Sequence, residues 1–386
     1  MRISLFVVGR WGVCCLALGV LLGGCCSPPA LGKVDQEREM SIEVPLHEPP
    51  EVPPLKRPSA LKEKPILKAK KRQQAPIVKK GPVIAGLPEK DQASLKKKKQ
   101  EKTPELVLLR TVDKLALPQS VLFDRQRLRF YVSRLGGDQP KSGAIALLAR
   151  DGSVINAKWA TGLEQPRGMA LAGQRLYVAD GKALVAIDVE SGKITQRFVA
   201  PKAFYLNDVV KAPNGHIYVT DPLTNSIYVL RDGTAFDVWL QNEALSGPNG
   251  IIVLGDDLVV GSIGLQRDKK TKGLKGAIFR VSLTSRAVRS FANGALPAIA
   301  SVGADGEGHL YATDDGGALL LKFSANNGRL LERLDVGKAF KLKDTAGLGD
   351  FTYLLSSKEF WVPVKSNGHI LVFGRKDAQF TTEDQP

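Results

Sequence analysis

The chain has 386 residues, a formal net charge of +16 and a pI near 9.6, yet only four cysteines, Cys14, Cys15, Cys25 and Cys26. With none beyond Cys26, its body can hold neither a disulfide framework nor a thiolate metal site, and four histidines leave little for a His-rich centre. The basic excess is local: Lys56 to Lys102 carries 16 Lys and Arg against four acids, with no aromatic residue to stack on bases, which argues against nucleic-acid binding.

The N-terminus reads as an export signal. Arg2 and Arg10 lie in a charged first segment, Trp11 to Leu22 is apolar, and small residues lead to Cys25. That apolar run is shorter than the roughly 20 residues a spanning helix needs. Leu22-Gly23-Gly24-Cys25 resembles the bacterial lipobox. The resemblance implies cleavage after Gly24 (signal peptide 1–24), lipid on Cys25 and a membrane partner, on the periplasmic side of the outer membrane if the envelope is Gram-negative. Several acyl chains make such an anchor lasting.

Residues 25–104 read as a disordered tether. Thirteen of the 23 prolines fall between residues 27 and 105, and this stretch contains no Phe, Tyr or Trp. Such a composition cannot bury enough apolar surface to order itself, and prolines with self-repelling charge favour extended conformations. The Lys56–Lys102 region is suited electrostatically to an anionic envelope polymer or lipid, or serves simply as a solvated spacer.

From residue 105 to 376 short strand-like runs recur between glycine-bearing turns, and no helix-length periodic segment appears. The repeat is carried by Tyr131, Tyr177, Tyr218, Val259, Tyr311 and Trp361, spaced by 46, 41, 41, 52 and 50 residues. These spacings match propeller blades, with a basic insertion, 267–275, in the longest. The pattern predicts an all-β, six-bladed β-propeller of four-stranded blades. Asp151-Gly152, Ser191-Gly192, Asp232-Gly233 and Asn327-Gly328 are expected as tight two-residue hairpin turns. The strand at 105–112 has no blade of its own and is expected to close the ring against the last blade, before a polar tail at 377–386. His216, His309 and His369 each follow a glycine at one repeat position and read as turn residues.

Over about residues 115–376, Pro118-Gln119-Ser120-Val121, Pro166-Arg167-Gly168, Leu206-Asn207-Asp208-Val209 and Pro248-Asn249-Gly250 resemble the gluconolactonase/regucalcin-like, NHL-type propellers. The resemblance implies a channel mouth built from the starts of the inner strands, a divalent cation such as Ca²⁺, and hydrolysis of a lactone or related ester. Asn249 matches the family's metal-ligand asparagine, and Asn207 the asparagine that contacts substrate. The family's first-blade glutamate falls on Gln119 and its fifth-blade aspartate on Ala300, so both metal carboxylates are replaced. Ligand charge sets calcium affinity, so the pattern favours a ligand-binding mouth over metal catalysis and names no catalytic residue. Gln119, Arg167, Asn207, Asp208, Asn249 and Asp350 are the expected mouth residues, with Arg167 the only cation expected there. Asp208 also suits a bond to its own turn. Three functions compete: a non-catalytic envelope lipoprotein that binds a polar ligand or protein partner, an exported metal-dependent lactonase or esterase, and a scaffold using a side face of the disc.

Overall fold

A computed structural model describes residues 106–265 and 275–375. The signal peptide, Cys25, the Lys56–Lys102 tether, most of the 267–275 insertion and the tail at 377–386 lie outside the described residues. Among the described residues no helix is long and apolar enough to cross a membrane.

The architecture is a six-bladed propeller. Five blades are four-stranded antiparallel sheets from consecutive segments: blade 1 is β2–β5 (Pro118–Leu163), blade 2 β6–β9 (Pro166–Val199) and blade 3 β10–β13 (Val209–Gln241). Blade 4 is β14–β17 (Pro248–Leu296) and blade 5 β18–β21 (Ile299–Asp335), followed by one helical turn at Val336–Ala339. Blade 6 combines β22 (Thr352–Leu354), β23 (Glu359–Val364) and β24 (His369–Arg375) with β1 (Leu106–Val112) as its outermost strand. β1 pairs antiparallel with β24 from Leu106↔Arg375 to Val112↔Ile370. The first described strand thus meets the last, which leaves neither with an open edge.

The repeat residues explain how blades stack. Side chains alternate across a strand, so each blade offers one face to the blade before and one to the blade after. Tyr131 packs towards blade 2, Tyr177 towards blade 3, Tyr218 towards blade 4, Val259 towards blade 5, Tyr311 towards blade 6 and Trp361 back towards blade 1. At the closing seam Trp361 stacks on Phe130, ring centroids 3.9 Å apart. The buried Glu359 carboxylate accepts from Arg110 of β1 (3.1 Å), from Arg150 of blade 1 (3.2 Å) and from Trp361 Nε1 (3.1 Å). Three chain segments are therefore fastened at one carboxylate, and Glu359 acts as a latch.

The hairpin turns differ from expectation. Gly152, Gly192, Gly233 and Gly328 do adopt positive φ, but the loops run to three to five residues rather than two. Carboxylates widen them: Ser153 N–H donates to Asp151 Oδ1 and Ser191 N–H to Asp188 Oδ1, both at 2.8 Å. The histidines lie in separate blades: His309 Nδ1 is 2.7 Å from Asp305 Oδ2, and His369 Nδ1 is 2.7 Å from Asp113 Oδ1.

Candidate functional site at the channel mouth

Blade register fixes which residues face the channel. The partners of the six repeat residues on the inner strands are Leu122, Ala170, Val210, Ile252, Gly303 and Thr352. Counting three positions back along each chain gives Gln119, Arg167, Asn207, Asn249, Ala300 and Gly349. The next residue in each is Ser120, Gly168, Asp208, Gly250, Ser301 or Asp350. In blades 1, 2, 4 and 5 the register shifts at this point, and in blades 3 and 6 the inner strand starts only after it. Such irregularities re-aim side chains at the rims of sheets.

The upper ring lines one pocket. Gln119, Arg167, Asn207 and Asn249 stand around it, with Ala300 and Gly349 leaving a gap on one side. Arg167 Nη1 donates to Gln119 Oε1 at 3.2 Å, and its guanidinium lies 4.1 Å from the centre of the Tyr205 ring. Its Nε is buried without a hydrogen-bond partner, and no carboxylate among the described residues is within ion-pair distance. Burial pulls the Arg167 guanidinium down to about 10, with the Asp315 charge partly opposing. Asn207 Nδ2 donates to Asn249 Oδ1, and Asn249 Nδ2 donates to the Ile299 carbonyl at 2.9 Å.

The lower ring closes the channel. Asp208 and Asp350 come from blades 3 and 6, opposite each other in the ring, and their buried carboxyl groups interact across the channel. Asp208 accepts from Val209 N–H (2.7 Å) and Ile251 N–H (2.8 Å). Asp350 accepts from the hydroxyls of Ser120 (2.8 Å) and Ser301. Burial and then the Asp350 charge push Asp208 well above the usual carboxylate range. Burial also raises Asp350, opposed by its bonds from Ser301 and Ser120. Two buried carboxylates in contact cannot both ionise cheaply, so the pair holds a proton. Both residues line the mouth pocket above and a second cavity of about 340 Å³ below, so the pair is a septum across the channel.

All six expected mouth residues thus surround one pocket. Asp208 has both roles at once, bonding its own Val209 N–H and reaching blade 4 and blade 6. The expectation that Arg167 is the sole cation at the mouth is corrected by Lys365, which lines the pocket and pairs with Asp315. These two residues occupy one repeat position, just after the signature strands of blades 5 and 6. The same position holds Leu135, Gly181, Pro222 and Ile263 in the other blades, so no repeat pattern marked it in the sequence.

The donor set does not fit the divalent cation that the resemblance implies. Gln119 offers an amide engaged by Arg167, Ala300 offers nothing, and Asn249 spends both amide atoms on protein partners. A guanidinium and an ammonium share the pocket. Among the described residues no group of three His, Cys, Asp or Glu could hold a metal. Asp305, the nearest acid along blade 5, is tied at the strand's other end by Glu307 N–H (2.8 Å) and by His309.

No family model matches the chain, and no curated protein matches it. Solved structures do. A gluconolactonase from Xanthomonas campestris superposes with a TM-score of 0.51 at 17% identity, over 70% of this chain and 89% of that one. A further protein designated a gluconolactonase gives 0.51 at 14% identity, over 71% and 93%. Virginiamycin B lyase from Staphylococcus aureus gives 0.49 at 15% identity, over 70% and 99%. At these identities the likeness is one of fold: the chain carries a gluconolactonase-like six-bladed propeller.

Proposed function

We propose that this chain is an envelope-anchored lipoprotein, tethered through Cys25, whose propeller mouth binds a ligand presenting an anionic group and performs no hydrolysis. One observation carries the reading: Arg167 is a largely buried guanidinium, stacked on Tyr205, with a single amide partner and, among the described residues, no carboxylate within ion-pair distance. A buried charge without a counter-ion is costly, and an incoming carboxylate or phosphate supplies both the charge and paired acceptors. The amides of Gln119, Asn207 and Asn249 orient such a ligand. The replaced carboxylates at Gln119 and Ala300 leave no Lewis acid to polarise a carbonyl.

Calorimetry with small carboxylic acids and their methyl esters tests the mouth. Acids bind, esters do not, and Arg167→Gln abolishes the difference. Absence of any Arg167-dependent acid binding would overturn the reading. Intact-mass analysis of membrane-fraction protein tests the anchor, since an unmodified Cys25 ends it.

A second reading, an exported lactonase or esterase, is supported by the gluconolactonase-like fold together with Asn207 and Asn249. Metal-dependent turnover of sugar lactones by the purified chain would promote it over the first.

A further inference from the structure

The mouth has two lobes that differ in size and character. The deep lobe, between Arg167 and the Asp208–Asp350 septum, has space for only a few waters, on the order of 40 Å³. Above it a lobe of about 310 Å³ is walled by Tyr205, Pro222, Leu223 and Ile263. Arg167, Asn207, Asn249 and the Asp315–Lys365 pair line both, so they stand at the junction. A ligand filling both lobes carries a small anionic head on a broader, partly apolar body.

The surrounding face extends this pattern. The segments that precede the inner strands or follow the signature strands expose Leu117 (45%), Phe204 (62%), Leu223 (50%) and Leu265 (45%). Phe204 is held outward rather than frayed: its N–H and that of Tyr205 donate to the buried Asp221 carboxylate at 2.6 and 3.1 Å. Lys182 Nζ lies 5.7 Å from the Phe204 ring. Large apolar side chains fixed in water around a polar pit mark an interaction surface. At the junction Asn207 Oδ1 accepts no bond from the described residues, so a free acceptor lines the same pocket as the guanidinium.

We infer that the occupant is a polypeptide C-terminus. Its terminal carboxylate sits on Arg167, the last backbone N–H donates to Asn207 Oδ1, and apolar side chains near the end lie on Tyr205, Leu223 and the Phe204 rim. Charge complementarity selects the carboxylate, the free carboxamide oxygen selects a neighbouring N–H, and the apolar face selects side chains beyond it. A fatty or aromatic acid satisfies the first and third conditions but leaves Asn207 Oδ1 unmet. This inference rests on the anionic-ligand reading above and narrows it.

The test uses the full chain and a synthetic hexapeptide library with randomised C-terminal positions, prepared once as free acids and once as amides. Free-acid peptides with apolar terminal residues are enriched, and the best bind about tenfold or more tightly than their amides. Arg167→Gln removes that preference while circular dichroism and the thermal midpoint stay those of a folded propeller, and Phe204→Ser weakens the same peptides. Should Arg167→Gln fail to fold, competition between each peptide acid and its amide on the wild-type chain gives the same readout. Equal retention of amides overturns the inference. Arg167-dependent binding of simple acids such as butyrate, with no peptide bound more tightly, overturns it and leaves the anionic-ligand reading standing. Absence of both peptide and simple-acid binding overturns both.

Discussion

The Asp208–Asp350 pair makes stability depend on pH in a direction opposite to most paired carboxylates. Both groups have native affinities for protons raised above the unfolded value. The native chain therefore holds a proton that the unfolded chain releases once pH exceeds about 4. Stability from this source is fully present below the unfolded pKa and is lost as pH rises through the dyad's native value. The loss is about 1.4 kcal/mol for each pH unit over which only the native state keeps the proton.

Asp350→Asn is expected to flatten that slope without abolishing it. The new amide donates to Asp208, which loses the repulsion of a second carboxylate but stays raised by burial. Asp208 still accepts from Val209 and Ile251 N–H, while the Ser120 and Ser301 hydroxyls turn to suit either amide atom. Asp208→Asn is worse placed. Both its oxygens already accept a backbone N–H, and an amide nitrogen facing one of them leaves a buried donor unpaired, costing about 1–3 kcal/mol. Urea unfolding of wild type and both variants between pH 4.5 and 8 decides this. The other ionisable groups are common to all three chains, so the comparison lies in the differences. Parallel pH profiles for wild type and Asp350→Asn would show that the pair shares no proton in this range.

Deletion of residues 1–104 is expected to leave a folded propeller, whereas deletion of 1–114 removes β1 and leaves β24 open, so it aggregates; equal solubility and thermal midpoints would refute closure by β1. Glu359→Ala removes the acceptor shared by Arg110, Arg150 and Trp361 and should cost about 3–5 kcal/mol in chemical denaturation, with Glu359→Gln much milder; a loss below ~1 kcal/mol would mean that the latch is solvent-screened. Calcium titration of the wild-type chain should show millimolar affinity or none, and Gln119→Glu with Ala300→Asp should improve it only after Arg167 is also replaced, because Arg167 captures a carboxylate at 119; micromolar binding by wild type sinks this. Gly168→Ala places a Cβ 2.2 Å from Asp208 Oδ1 and 2.6 Å from Asp208 Cα, so it should cost about 1–3 kcal/mol; an unchanged midpoint would mean that the septum has slack.

The fold was legible because packing repeats itself. A residue wedged between blades meets the same neighbours six times, so Tyr131, Tyr177, Tyr218, Tyr311 and Trp361 recur in kind and spacing. The orphan strand at the start of the domain was legible because an unpaired edge has one obvious partner. The mouth was legible only through its resemblance to a family, which fixed the alignment at Gln119, Arg167, Asn207 and Asn249. Hairpin loop lengths were not legible, since Asp151 and Asp188 bind their own turns and stretch them. Nor were Asp315 and Lys365, which lie just beyond the repeated strand where no periodicity reports on them. The contact between Asp208 and Asp350, 142 positions apart in the sequence, requires knowing that blades 3 and 6 oppose each other across the axis.

The two rings at the mouth show different physical constraints in one structure. The lower ring reads Ser, Gly, Asp, Gly, Ser, Asp around the axis. Two carboxyl groups meeting across the channel leave room only for small neighbours, and the small neighbours differ by task. Ser120 and Ser301 flank Asp350 and donate to it. Gly168 and Gly250 flank Asp208, whose bonds come instead from backbone N–H groups, and a Cβ at either glycine would meet heavy atoms within 2.6 Å. That ring is shaped by closure. The ring above reads Gln, Arg, Asn, Asn, Ala, Gly, with one cation, three amides and two positions without a functional group, of which only Gly349 is held by crowding, since a Cβ there would meet the Gln119 carbonyl oxygen at 2.5 Å. Where packing dictates the residue, the blades agree; here each blade contributes something different to a common pocket. The septum gives the pocket a polar floor and keeps it from being a through-channel. Chemistry at this mouth is therefore set by Arg167 and the amides, over a floor whose proton they overlie.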